Sequence, residues 1–416
     1  MVGLVIRLIL MPITSSPFDI GEGWAAIIDG FYSGDDLYSS GWYIYTPIWG
    51  YILALVGELC QLLGLTSFGD VFLVYGDKFN CIGYNYVTNL EFNFLVKIPG
   101  LIFDILSSWA AYRLAYTITK DEKRSSIVFL AVFLCPMIIQ SSSMLGMFDS
   151  IMLFFMLSSI HSFIEKRYVT ASILLAFGAF TKMFAIILAP IMLIYVLFDK
   201  NNDLGIRLKQ ATICVAVFFI VALVLYIPVI MTDSLKESLM FIYMRSSYVV
   251  PSDFYAHPDF KNIKVYLPAI IVMEIVMYAV TATSYGHKQE TILWVLMLCM
   301  VPFFMFPFVC FTPTYGVVLI PAFVLLYSMK GNIAWIPWLV LIVFPIHGIA
   351  HYWCQFFYPL GAFTDLVSLE SLPQYMGNGA IYTLIQQIMF LSGFVYVLVL
   401  FYYLRKKKAE IDHYDE

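Results

Sequence analysis

The chain has 416 residues, 61% of them hydrophobic and only 12% charged, with a formal net charge of −5. Soluble domains are about 25% charged, so a mean hydropathy of +0.85 excludes an ordinary soluble globule. The acidic balance gives no footing for nucleic acid. Apolar runs of about 17–25 residues, enough for a membrane-spanning helix, recur along the whole length. They lack the alternation of barrel strands, as "SIVFLAVFLCPMII" shows. The expected fold is all-α: a polytopic transmembrane helix bundle of about twelve spans.

The first span, 1–16, has no small-residue cleavage site and reads as a retained helix. Arg7 within it reads as snorkelling to cytoplasmic headgroups. A large outer loop follows over 17–93. It is acidic: Asp19, Glu22, Asp29, Asp35 and Asp36 occur there, and no Lys or Arg lies between Arg7 and Lys78. Asp35 and Asp36 in "YSGDDLYSS" read as a turn. Pro47–Leu65 is nearly long enough to cross, but crossing would reverse every later loop. It is expected to lie at the membrane surface or against the bundle.

Further spans are expected at about 94–117, 125–145, 149–164, 169–183, 185–199 and 208–231, with the pieces around Lys182 forming one broken hairpin. An outer loop at 232–264, rich in Tyr and Phe, precedes spans at about 265–283, 291–311, 315–329 and 333–350. Another outer loop, 351–378, leads to a last span at 379–403. This divides the chain into an N-terminal part, 1–231, and a C-terminal part, 232–416. Basic clusters follow alternate spans: Lys120, Lys123 and Arg124; Lys166 and Arg167; Lys200, Arg207 and Lys209; Lys288; Lys330; Arg405 to Lys408. The positive-inside rule puts them and both termini in the cytoplasm. No internal repeat of the transporter kind is evident.

Most of the seven cysteines sit in apolar runs and read as small buried residues. Cys81 and Cys354 fall in loops on one side, where pairing stays open. His347 and His351 share a helical face, but without a third ligand they read as packing residues. Asp104, Asp149 and Lys182 stand at membrane depth, where a charge costs about 2.5–3.5 kcal/mol on insertion scales. Structural readings are a helix cap for Asp149 and a bridge from Lys182 to Asp149 or Asp104. The functional reading gathers Asp149, Lys182 and the first-loop acids at one outer-face cavity.

Several stretches resemble the GT-C superfamily of membrane glycosyltransferases. "GLVIRLILMPITSSPFDIGEGWAAII" is similar to their short first helix and following loop, whose early Asp matches Asp19. "YTPIWGYIL" resembles a Tyr-Pro-Pro-like element through Tyr45 and Pro47, with Thr46 in place of the first Pro. "KIPGLIFDILSSWAAYRL" resembles a second span bearing a Lys and an Asp, matched by Lys97 and Asp104. "GMFDS" resembles the Gly-Gln-x-Asp element of relatives of the second GPI-anchor mannosyltransferase. Gly146 and Asp149 match, and Met147 stands where Gln is usual. "TKMFAIILAP" resembles a Lys-Pro-x-x-Leu-x-x-x-Pro element through Lys182 and Pro190, with Met183 replacing Pro. The likeness covers roughly the first 200 residues; beyond them only the helix count and "TPTYGVVLIPAF" look similar.

The resemblance implies an inverting transfer of a hexose, mannose favoured, from a polyprenyl-phosphate sugar to a glycan, glycolipid or protein acceptor. The reaction would take place on the outer face of a membrane, with a prokaryotic plasma membrane favoured. Asp19 is the expected general base. Lys182, Arg245 and then Lys97 are the expected cations for the leaving phosphate. Asp149, Asp104, Glu22 and Tyr45 complete the substrate-binding set, with Trp24 and Trp42 as stacking faces. No metal or other cofactor is expected, because a monophosphate donor has no diphosphate to bridge. The donor's tail would lie among membrane lipids and apolar spans. The competing expectations are a secondary transporter or lipid flippase using Asp104, Asp149 and Lys182 as a relay, and a surface-glycan polymerase with diphosphate-linked donors.

Overall fold

The computed structural model describes residues 1–39, 43–69, 71–74, 84–199, 201–240, 313–330 and 357–366. Trp42, Cys81, Arg245, His347, His351, Cys354 and the spans expected at 265–283, 291–311, 333–350 and 379–403 lie outside them. The described part is helical apart from one short hairpin. Its elements are α1 (Val2–Ile13), α2 (Ala26–Tyr32), α3 (Pro47–Leu62), β1 (Val71–Val74), β2 (Tyr84–Val87), α4 (Leu90–Thr119) and α5 (Glu122–Phe133). There follow α6 (Pro136–Ile138), α7 (Asp149–Ile164), α8 (Tyr168–Thr181), α9 (Leu188–Phe198), α10 (Leu204–Met231), α11 (Ile320–Lys330) and α12 (Tyr358–Phe363).

Among the described residues, three stretches are long and apolar enough to cross a membrane: Leu90–Thr119, Glu122–Met144 and Leu204–Met231. Their ends follow from capping chemistry. Asn89 opens α4 by accepting from Phe92 N at 2.8 Å. Lys120 closes it in the left-handed region at φ 54°. Asp121 at once caps α5, accepting from Lys123 N at 2.9 Å and Arg124 N at 3.1 Å. Two residues thus turn α4 back on itself, and α4 and α5 pack side by side. Asp203 opens α10 in the same way, accepting from Ile206 N at 2.8 Å.

The span expected over 125–145 is not one continuous α-helix. α5 stops at Phe133, Pro136 starts the single turn α6, and Ile139–Met144 winds as a π-helix. A proline lacks the N–H that continuation needs, and its ring crowds the preceding turn. The break at Lys182 is as expected. α8 ends at Thr181, Lys182 is extended at φ −151° and ψ 126°, and a 3₁₀ turn, Met183–Ile187, leads into α9.

Among the described residues, the apolar side chains gather in two cores. One joins the C-terminal half of α4 to α5, α7, α8, α9 and α11. The other gathers Trp24, Ile28, Tyr43, Trp49, Phe92, Phe148 and Tyr226 from the first loop and the helix ends beneath it. The first loop is therefore a folded cap. α3 packs against α4, α8 and α10 rather than floating at a surface. A hairpin absent from the sequence reading, β1 with β2 in the register Val71↔Val87 to Val74↔Tyr84, packs on the π-helical segment Pro17–Ala25. Asp36 makes the expected turn, accepting from Tyr38 N at 2.9 Å and Ser39 N at 3.0 Å.

The cap meets the bundle at Gly146, which has φ +66°. A Cβ built there stands 2.7 Å from Ile20 Cδ1. Gly146→Ala is expected to lower stability by about 1–3 kcal/mol through left-handed strain and overpacking. Thermal unfolding of the purified protein measures this, and adding Ile20→Ala should restore the packing share only.

Candidate functional site

The site is built around the turn between the π-helix and α7. Met147 N donates to Ser141 O at 2.8 Å and Leu145 N to Gln140 O at 2.9 Å, folding "SSSMLGMFD" back over itself. Asp149 is the first residue of α7, the cap position is Phe148, and no side chain caps the helix. Asp149 is thus not the cap that the sequence suggested. Its carboxylate is committed elsewhere. Lys182 Nζ donates to Oδ1 at 2.6 Å and Ser141 Oγ to Oδ2 at 3.2 Å. Asp149 is fully buried and Lys182 nearly so. The extended backbone at Lys182 takes its side chain out of helical register, and Nζ lies 5.4 Å from the Phe148 ring centre and 5.9 Å from that of Phe184.

Asp104 has a different partner. Arg7 Nε donates to its Oδ2 at 2.7 Å, and both side chains are wholly buried. Ser142 Oγ donates to the same oxygen at 2.6 Å, and Ser150 Oγ donates to Oδ1. Arg7 also donates through Nη1 to Gly3 O at 3.0 Å and lies over the Phe133 ring at 4.5 Å. It does not snorkel. A carboxylate at the depth of Arg7 gives the guanidinium a better partner than distant headgroups. Lys97 also points inward: Nζ donates to Met11 O at 2.8 Å, Thr14 O at 2.5 Å and Thr14 Oγ1 at 3.3 Å. It satisfies the carbonyl end of α1, as a cation at a helix C-terminus does. Its three donors are occupied, so it is no phosphate ligand in this arrangement.

Asp19 lies in Pro17–Ala25, half-buried. Ser16 Oγ donates to Asp19 Oδ2 at 2.8 Å, and Asp19 N donates back to Ser16 Oγ at 3.2 Å. Glu22 belongs to the same segment. This segment docks on the turn, because Trp24 Nε1 donates to Gly146 O at 3.2 Å. Tyr45 meets the Phe148 ring edge-on at 4.9 Å, and Trp49 stacks on it at 4.9 Å with an interplanar angle of 13°. Trp24 is 2% exposed, so it is a packing ring of the block and not an open stacking face.

The structure thus brings Asp19's segment, Tyr45, Gly146, Asp149 and Lys182 into one neighbourhood around Phe148. It holds Asp104 and Lys97 one layer deeper, on Arg7 and on α1. The sequence reading missed Phe148, Trp49 and the hydroxyls of Ser141, Ser142 and Ser150. Their signal was present: three consecutive serines in an apolar run need partners when buried. Among the described residues no group of three or more His, Cys, Asp or Glu side chains is placed to hold a metal.

The chain matches no protein-family model and no curated protein. The geometry therefore stands on its own. It offers a half-buried carboxylate on a segment docked, through Trp24, on the turn that carries Asp149, whose carboxylate neutralises Lys182.

Breaking one buried charge pair by removing one partner typically costs about 3–5 kcal/mol. Arg7→Met or Asp104→Leu alone should each approach that loss. The double variant should lose clearly less than the sum, because no lone charge remains. A double-mutant cycle on thermal unfolding in detergent measures the coupling.

Proposed function

We propose that the chain is an inverting glycosyltransferase that moves a hexose from a polyprenyl-phosphate sugar to a hydroxyl acceptor at the outer end of a multi-span bundle. The observation that supports this most is the docking of the Asp19 segment on the Gly146–Asp149 turn, within the same aromatic block that flanks Lys182. That pairing brings the segment carrying Asp19 against the turn whose Asp149 holds the Lys182 ammonium. In the reaction Asp19 takes the acceptor proton as the acceptor oxygen attacks C1. The C1–O bond to phosphate breaks and the phosphate keeps the electron pair. Lys182 balances the growing charge, with Asp149 holding the ammonium until the phosphate shares it. Arg245 would add a forked donor from the 232–264 loop. The acceptor, a lipid-linked glycan, glycolipid or protein, follows the same chemistry in each case. The basic clusters after alternate spans support cytoplasmic termini and an outward site.

A secondary transporter or flippase is the second reading. It draws on the two buried ion pairs, Arg7–Asp104 and Lys182–Asp149, whose carboxylates also accept from serine hydroxyls. A relay needs such groups at membrane depth.

Transfer of radiolabelled sugar from polyprenyl-phosphate mannose and polyprenyl-phosphate glucose into lipid extract tests the first reading on purified protein. Asp19→Asn should cut transfer by at least about 100-fold, as loss of a general base does. Full transfer by that variant would move the base to Asp149 or Glu22. No transfer from either donor, together with gradient-driven flux in vesicles, would select the transporter.

A further inference from the structure

One face of α4 grips the turn that carries Phe148 and Asp149. Gly100, Asp104 and Ser107 follow helical i, i+4, i+7 spacing and so share that face. A Cβ built on Gly100 would stand 3.2 Å from Ser142 Cβ, so the backbones approach closely there. Ser107 Oγ donates to Ser150 O at 2.8 Å. Between these two contacts Asp104 reaches both ends of the turn. Ser142, which precedes it, donates to one carboxylate oxygen, and Ser150, which follows it, donates to the other. Ser141 and Asp149 are the immediate chain neighbours of these two serines, and they carry the second set of contacts, to each other and to Lys182. Arg7 fixes Asp104 from α1.

We propose that Asp104, fixed by Arg7, is a positioning residue. Its two carboxylate oxygens clamp the ends of the Gly146 turn and thereby set where Asp149 presents to Lys182. The functional half of this rests on the glycosyltransferase reading, in which Lys182 meets the donor phosphate. The geometric half does not. Asp104 itself touches no substrate in this scheme, because both of its oxygens are occupied. A clamp differs from a merely stabilising contact in what it controls. Loss of a stabilising contact lowers the amount of folded protein and leaves each folded molecule unchanged. Loss of the clamp leaves the protein folded but frees Lys182 from its fixed partner.

The test uses the full chain in lipid nanodiscs, as wild type, Ser142→Ala, Ser150→Ala, the double alanine variant and Ser150→Thr. The first readout is the rate at which an amine-acylating reagent modifies Lys182, followed by peptide mass spectrometry. Lys182 is 4% exposed, so wild type should be protected. The double variant should react about tenfold faster, since two hydroxyl hydrogen bonds no longer oppose local opening. Ser150→Thr, which keeps the hydroxyl, should react as wild type does. An unchanged Lys182 rate in monodisperse double variant overturns the clamp. If the double variant does not fold, the single alanine variants decide by the same readout. The second readout is kcat per folded molecule with polyprenyl-phosphate mannose, which should fall about tenfold in the double variant, since Lys182 acts on charge that grows in the transition state. A drop in folded yield with an unaltered kcat per folded molecule and an unaltered Lys182 rate would leave Asp104 a purely structural residue. Absence of transfer by wild type from this donor and from polyprenyl-phosphate glucose, with gradient-driven flux, refutes the glycosyltransferase reading and leaves the clamp to be decided by the labelling alone.

Discussion

A buried carboxylate in an apolar helix survives only if every oxygen is answered. Asp104 meets that condition with a guanidinium and two serine hydroxyls drawn from three different segments. α1, α4 and the π-helical stretch before α7 are therefore tied at one point, and the turn above that point inherits its position. Buried ion pairs often add little net stability over an apolar filling. Among the described residues, the Arg7 Nη2 also lacks a hydrogen-bond partner, at a cost of roughly 1–3 kcal/mol. The node's contacts hold α1, α4 and the stretch around the Gly146 turn together at one point.

The first loop illustrates a second constraint. Its acids have no nearby basic residue in sequence, yet it is not a solvated acidic tail. Trp24, Tyr45 and Trp49 bury their rings around Phe148, so the loop folds by aromatic burial and the carboxylates ride on it. Aromatic pairs add about 0.5–1.5 kcal/mol each beyond the area they bury. Tyr43 illustrates how tightly this is arranged. Its hydroxyl donates to Thr46 O at 2.7 Å and accepts from Gly50 N at 2.7 Å, so a tyrosine caps α3 where Thr46 does not.

Much of this was legible in the sequence. Hydropathy located α4, α7 and α10 within a few residues, because a long apolar run admits few alternatives. The break at Lys182 and the turn at Asp36 were also readable, each from a local rule. Partnership was not. Nothing in the spacing of Arg7 and Asp104 says that they meet, because helix pairing is decided by packing across 97 residues of chain. Lys97 looked like a free cation because its true acceptors are backbone carbonyls, which every residue possesses. The hairpin escaped because its strands are four residues long and lie within a loop read for helices. Asp149 was misread as a cap because the helix begins one residue early, a difference smaller than sequence patterns resolve.

The Arg7–Asp104 pair also bears on the order in which the protein is made. α1 leaves the ribosome with its arginine uncompensated, and the matching carboxylate appears only 97 residues later. A lone cation at the centre of a bilayer costs about 2.5–3.5 kcal/mol on insertion scales. Without α4, Arg7 has no buried carboxylate partner and is better left hydrated. α4 then brings Asp104 to the arginine and Lys97 to the open carbonyls of Met11 and Thr14. The buried position of Arg7 in α1 therefore depends on α4, which carries both the carboxylate and the lysine that meet α1.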